Sequence, residues 1–273
     1  MASPPARRAA APSGPPAFSD RVQAGVLLGA ALRDARGEAR PNAATRMRAL
    51  PGSASPPGDS GEARPRVFAL PRGGVPVAAG VAVAVGATLE VLMVRKIGHP
   101  AAPELGLGAI AEDGRGGAAE PYFDPEMLAT VGLTIADLAV VVDRERAELA
   151  RRLIVYGRRG PGGGAEGMTG RDLAGELVIV VDDGLATGVT ARAALRAVRE
   201  RGAARTVLAV PVAAPSAAEA IKKETDEVVT LVTPRRFRSV GEWYADFGQM
   251  ADDDVLALLR PVGETEPRSR IRP

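Results

Sequence analysis

Five short apolar runs, rich in β-branched residues, punctuate this chain at 66–70, 89–94, 178–181, 205–211 and 227–232. Their apolar character is nearly continuous rather than alternating. That predicts strands buried on both faces, as in a parallel sheet covered by helices. Helical patterns fill the intervals. Residues 18–33 read as an amphipathic helix with Ser19 as N-cap and Val22, Val26, Leu27 and Ala30 on its apolar face. Residues 76–86 read as an apolar helix opened by Pro76. Residues 134–156 form a long helix carrying Ile135, Leu138, Val142, Leu149 and Leu153, with Glu148 and Arg152 as an i, i+4 pair. Further helices are predicted over 191–199, 215–223 and 252–259, and short strands over 108–112 and 120–124. Strand and helix alternate from Arg66 onward, which predicts an α/β domain with a doubly wound, mostly parallel sheet. Within it, 66–94 is a βαβ unit with a right-handed crossover.

Composition narrows the picture. The 273 residues are 46% apolar, enough for a sizeable core. Residues 1–17 are a Pro/Ala-rich tail expected to be disordered, 18–262 are the folded domain, and 263–273 are a polar tail. A flexible Pro/Gly/Ser-rich insertion is expected over about residues 40–65. The Gly-rich stretch 158–170 lacks a Gly-Lys-Ser ending and receives no phosphate role. The formal net charge of +2 does not suggest a nucleic-acid partner. No run of 18 apolar residues predicts a membrane span. With no cysteine there is no disulfide framework, and a cytoplasmic location is expected. His99 is the only histidine, so it is the one candidate base of its type, and no nucleophile elbow accompanies it.

The chemistry concentrates where the third apolar run ends. Val178 to Val181 is followed by Asp182-Asp183-Gly184-Leu185-Ala186-Thr187-Gly188-Val189-Thr190, and then by a strong helix former. In an open α/β sheet, ligands bind outside the carboxyl ends of strands. Glycines at 184 and 188 permit positive φ and close backbone approach. The loop amides and the helix amino end make an anion site, to which Thr187 and Thr190 add hydroxyl donors. The two carboxylates repel a phosphate and suit hydroxyl donors one sugar-width away. Phosphate on one side and vicinal hydroxyls on the other describe a ribose 5-phosphate. Two other readings stay open: solvated acids at a strand end, and a Walker-B-like metal site. The first does not explain Thr-Gly-Val-Thr; the second lacks its Gly-rich Lys loop.

A second loop, Arg72-Gly73-Gly74, follows the first run and precedes a helix, offering backbone amides and a guanidinium fork. Lys96, one of three lysines, is expected to end the second strand beside that loop. Phe237, Trp243, Tyr244 and Phe247 are four of nine aromatics, gathered within eleven residues. They suit a mini-core under a cap, with Phe237 or Trp243 as a ring on which a planar base stacks.

The stretch from Val178 to Thr190 resembles the 5-phosphoribosyl-1-pyrophosphate (PRPP) motif of type I phosphoribosyltransferases. Leu-Pro-Arg-Gly-Gly-Val-Pro, Val-Arg-Lys-Ile-Gly and Val-Gly-Glu-Trp-Tyr-Ala-Asp-Phe resemble bacterial members of that family with an unassigned acceptor. The resemblance implies a Rossmann-like core with a small C-terminal/N-terminal cap, and transfer of the phosphoribosyl group from PRPP to a nitrogenous base with release of pyrophosphate. It implies PRPP binding by residues 182–190, with Asp182 and Asp183 on the ribose hydroxyls. Arg72, Gly73, Gly74 and Lys96 would bind pyrophosphate, and Asp183 and Lys96 would be the catalytic pair. It also implies substrate-bound Mg²⁺, a lid over 100–108, where an ordinary hairpin connection is the other reading, and a non-proline cis peptide in the Arg72 loop. The same fold can serve a PRPP-binding regulator without turnover, and an exposed apolar helix face would suit a homodimer. A metal-assisted phosphohydrolase is the third reading.

Overall fold

A computed structural model of the chain describes residues 16–35, 65–159 and 172–259. Almost all of the two expected tails, of the insertion over 40–65 and of the Gly-rich stretch lies outside the described residues.

Five parallel strands make the central sheet: β1 (Arg66–Ala69), β2 (Thr88–Val91), β6 (Leu177–Val181), β7 (Arg205–Val212) and β8 (Glu227–Val232). Their spatial order is β2-β1-β6-β7-β8. The doubly wound α/β expectation is met. The continuous apolar runs are explained by burial on both faces. Ile179 and Val181 enter one apolar cluster with Val67, Ala69, Val207 and Ala209, whereas Val178 and Val180 enter the other with Phe68, Leu208 and Val210. Helices α1 (Arg21–Ala35) and α2 (Gly74–Val85) cover the first face, and α5 (Val189–Glu200) and α6 (Pro215–Ile221) the second. The chain lays β1, steps outward to β2, then returns to the far side of β1 to build β6, β7 and β8. The order therefore reverses between β1 and β6. In such sheets the crevice for a ligand opens at that point.

A second sheet was not foreseen as such. The predicted strand 89–94 splits in two. The parallel strand stops at Val91, and β3 (Val94–His99) turns away to pair antiparallel with β4 (Ala102–Ala111), which in turn pairs with β5 (Tyr122–Phe123). Glu112 takes the handover: Oε1 of its buried carboxyl group accepts from the Met93 N–H at 3.2 Å. The stretch read as a lid is thus one arm of a hairpin, with His99 Nδ1 accepting from the Ala101 N–H at the tip (3.0 Å). Ala109 and Ala111 seat this hairpin against Val189, Ala193 and Ala197 of α5. The long helix, α4 (Ala139–Arg159), starts later than expected because a 3-10 turn covers Ala136–Leu138. Before it, α3 (Pro125–Val131) is capped by Asp124, whose carboxylate accepts from the Glu126 and Met127 amides.

The face assigned to α1 is also corrected. Val22 and Val26 are each 57% exposed and Leu27 is 45% exposed; Ala24, Gly25, Leu28, Gly29 and Leu32 are buried instead. Small residues win this position because α1 and α2 meet backbone to backbone. A methyl at Gly25 would stand 2.5 Å from the Val77 carbonyl oxygen, and one at Gly80 would stand 2.6 Å from the Gly25 carbonyl carbon. Ser19 is likewise not the N-cap acceptor; Asp20 Oδ1 accepts from the Gln23 N–H at 2.8 Å.

Both ends of the domain build the cap. Phe18 pairs with Tyr244 in a parallel bridge, through Phe18 N–H to Trp243 O (3.0 Å) and Ala245 N–H to Phe18 O (2.8 Å). The closing helix α7 (Asp252–Leu259) buries Val255, Leu256 and Leu259 in the first cluster. No single helix among the described residues is long and apolar enough to cross a membrane.

Candidate functional site

Ala69 and Val181 are register partners at the carboxyl ends of β1 and β6. The two turns picked out by sequence, Arg72-Gly73-Gly74 and Asp182-Asp183-Gly184, therefore leave the sheet side by side. Their contact is intimate. A methyl at Gly73 would overlap the Asp183 carboxylate, and one at Gly74 would stand 2.8 Å from the Val181 carbonyl oxygen and 3.2 Å from Asp182 Oδ1. Both acids lie against the glycine turn and neither enters the apolar core. The Pro71–Arg72 peptide bond is cis.

This contact changes the reason for the glycines. Gly73 has helical backbone angles (φ −62°, ψ −32°), and the Gly74 N–H is already donated to Leu70 O at 3.0 Å. The pair gives the acids room as much as it supplies amides. Arg72 is exposed, with its nearest carboxylate, Asp252 of α7, at 3.9 Å.

The loop after the acids is anchored at its middle and open at its end. Leu185 is buried and exchanges hydrogen bonds with β7 and its extension: Leu185 N–H to Val212 O and Ala214 N–H to Leu185 O, each 2.8 Å. Ala186 and Thr187 face solvent. Gly188 sits at φ +81°, in the left-handed region, and turns the chain into α5. No side chain caps α5, and its first turn holds no acid. Its leading amides thus form an electropositive amino end. Gly184 does not have the expected positive φ. It is small because Val240 Cγ1 would lie 2.6 Å from a methyl there.

Burial perturbs both acids. Burial and the neighbouring Asp183 charge push the Asp182 carboxyl well above the ordinary carboxylate range, although its Oδ1 accepts from the Asp183 N–H at 2.8 Å. Burial also raises Asp183, but Arg21 opposes it through an ion pair, Nε to Oδ2 at 2.8 Å. The Tyr244 hydroxyl donates to the Asp183 carbonyl oxygen at 2.6 Å, and burial keeps that phenol neutral.

Lys96 is placed differently from the expectation. It lies within β3, not at the end of a parallel strand, and its Nζ donates to Glu104 O across the hairpin at 2.9 Å. Gly106 lies between the Lys96 stem and the Val189 side chain: a methyl there would stand 3.0 Å from Lys96 Cδ and 3.3 Å from Val189 Cγ2. Lys96 thus belongs to the hairpin that borders the start of α5. Phe237 and Trp243 are half-buried in the mini-core around Val212 and Tyr244. The rings at the acid pair are Tyr244 and Phe247, whose centroids are 5.1 Å apart.

Arg21, Tyr244 and Phe247 are the site residues that the sequence did not assign. Arg21 left one trace: a cation in the first turn of a helix opposes the macrodipole, so it needs a partner elsewhere. His99, by contrast, is accounted for by the hairpin tip.

Among the described residues, no three His, Asp or Glu side chains gather closely enough to hold a metal ion. The acid pair offers oxygen donors but no complete protein cage.

Residues 58–244 match the family described as "Phosphoribosyl transferase domain". Two Mycobacterium tuberculosis proteins, from strains CDC 1551 and H37Rv and each named "Putative phosphoribosyl transferase", are 39% identical to the chain over 231 residues. That alignment takes in 84% of this chain and 46% of theirs, so the chain spans about half the length of these curated relatives. The crystal structure of TT1426 from Thermus thermophilus superposes with a TM-score of 0.62 at 37% identity, over 89% of this chain and 97% of that one.

Proposed function

Because the chain belongs to the phosphoribosyl transferase family, we propose that it transfers the 5-phosphoribosyl group of PRPP to a small nitrogenous acceptor and releases pyrophosphate. The observation that carries this reading is the convergence, at the reversal point of the sheet, of two carboxylates, an uncapped helix amino end and the Arg72 turn. The amides opening α5 and the Thr187 and Thr190 hydroxyls receive the 5-phosphate. Asp183, gripped by Arg21 at 2.8 Å, accepts from the ribose hydroxyls together with Asp182. Arg72 faces the pyrophosphate, Lys96 would reach it by releasing Glu104 O, and a half-buried ring of the cap, Phe237 or Trp243, would lie against the base.

The acceptor nitrogen attacks C1 of the ribose, and the C1–oxygen bond breaks. The bonding pair leaves on pyrophosphate, and the acceptor's N–H proton is given up. That proton passes to the acid pair. The protein contributes chiefly position and charge. The acid pair fits a Mg²⁺ carried on the substrate's own oxygens, which would neutralise the leaving group, better than an ion held by protein alone.

A second reading, PRPP binding without turnover, gains support from the tie between Lys96 and Glu104 within their hairpin. The test is pyrophosphate release from PRPP and Mg²⁺ across a panel of nitrogenous bases. Base-dependent release is expected. Saturable binding without release would favour the regulator, and phosphate release from simple esters without a base would favour a hydrolase.

A further inference from the structure

Arg21 stands outside residues 58–244 of the family match, on a helix whose burial requires no cation there. Its guanidinium is nevertheless held on three sides. Nε donates to Asp183 Oδ2 at 2.8 Å, Nη1 donates to Gly248 O at 2.9 Å, and the Phe247 ring centroid lies 3.7 Å from Cζ. The side chains of Arg21 and Asp183 are only 12% and 16% exposed, so the pair is largely withdrawn from screening water. A guanidinium packed on a ring and fixed at two acceptors has little rotamer freedom, and so the carboxylate it grips has little too.

We infer that Arg21 is a positioning residue of the pentose site, holding the Asp183 carboxylate in one orientation to receive the ribose hydroxyls. The inference rests on the assignment of Asp183 to the pentose made above. A tie that merely fastened α1 to the C-terminal segment would not need the second acid of the motif as its anchor. Burial favours protonation of both aspartates, and Arg21 is the group that opposes it at Asp183. The charged and titratable groups around Asp183 are few. Asp182 lies on its own strand end, Arg21 on α1, the Tyr244 hydroxyl on the cap, and Arg72 on the adjoining turn, itself facing Asp252 of α7.

The experiment is calorimetric titration of the full chain with PRPP and Mg²⁺ from pH 5.5 to 8.5, for the native protein, Arg21→Gln, Arg21→Lys and Phe247→Leu. Melting temperatures are recorded alongside. Each variant is read against the native protein at the same pH, because the phosphates of PRPP titrate within this range. Arg21→Gln should bind about threefold more weakly than the native protein near pH 6 and approach it as pH rises, since a one-unit rise in a pKa that spans the working pH changes the ionised fraction about threefold. Arg21→Lys, which keeps the charge, should keep the native profile. Phe247→Leu removes an exposed ring that braces the guanidinium, and should weaken binding about threefold without lowering the melting temperature. Should Arg21→Gln not fold, Phe247→Leu decides: unchanged affinity there overturns the inference. Arg21→Gln with native affinity and profile also overturns it. So does a loss equal at every pH that Arg21→Lys fails to restore, the mark of a structural tie. A native chain that does not bind PRPP removes the pentose reading itself, and this inference with it.

Discussion

Gly73→Ala probes the contact on which the site is built. The added methyl would overlap Asp183 Oδ2, stand 2.7 Å from its Cγ and press within 3.2 Å of Arg21 Nε. Backbone angles are no obstacle, since Gly73 already has helical φ and ψ. The carboxylate must therefore swing away and give up its 2.8 Å bond to Arg21. A hydrogen bond to a charged group contributes ~1.5–3 kcal/mol, and forcing a methyl into a filled space costs ~1–3 kcal/mol. Together the loss is about 2.5–6 kcal/mol, or roughly 5–24 °C in melting temperature for a domain of this size. PRPP affinity should fall at least about tenfold, because one of the two acids no longer faces the sugar. Thermal unfolding and calorimetric titration on the same preparation read both effects. A Gly73→Ala protein that melts and binds like the native chain would refute the packing of Asp183 on this turn.

Gly80→Ala sets a methyl 2.6 Å from the Gly25 carbonyl carbon, so the α1–α2 seam must open; a loss of about 1–3 kcal/mol in urea unfolding is expected. Glu112 is fully buried, and burial pushes its carboxyl up to about 8 from an ordinary value of 4.5. Between those values the folded state holds a proton that the unfolded state has lost, so this group's contribution to stability declines as pH rises from about 4.5 to about 8 and then levels off. Glu112→Gln should flatten that part of the melting-temperature profile; a slope unchanged between pH 5 and 8 would contradict the protonated, buried state. Asp124→Ala removes the cap that accepts from the Glu126 and Met127 amides, and is expected to cost about 1 kcal/mol in unfolding free energy.

What could be read from the sequence was local. Four consecutive β-branched or aliphatic residues that run straight into two acids and a glycine loop fit a strand buried on both faces, so β6 and the acids behind it were legible from Val178 to Gly184. The same holds for β1 and its glycine turn. The α1 face was misread because hydrophobicity pointed to Val22, Val26 and Leu27, whereas close backbone approach rewards Gly25 and Gly29 for having no side chain. The β3–β4 hairpin was hidden because its strands carry Gly98, Gly106 and Gly108, and no alternating pattern survives there. Arg21 and Asp183 are separated by 162 positions, and no periodicity links them. The packing of α1 on α2 and the closure of the cap, with Phe18 beside Tyr244, bring them together. The PRPP reading of the loop was open to sequence because its amides, hydroxyls and acids are contiguous; the brace around it was not, because its parts come from opposite ends of the domain.

Calorimetric titration of PRPP with Mg²⁺ into the native chain and into Asp182→Asn/Asp183→Asn tests the central claim most directly. The account predicts saturable one-to-one binding to the native protein. It predicts at least ~100-fold weaker binding to the double variant, as expected for loss of two charge-assisted hydrogen bonds, with the variant still folded. No binding by the native chain, or equal binding by a folded double variant, would contradict it.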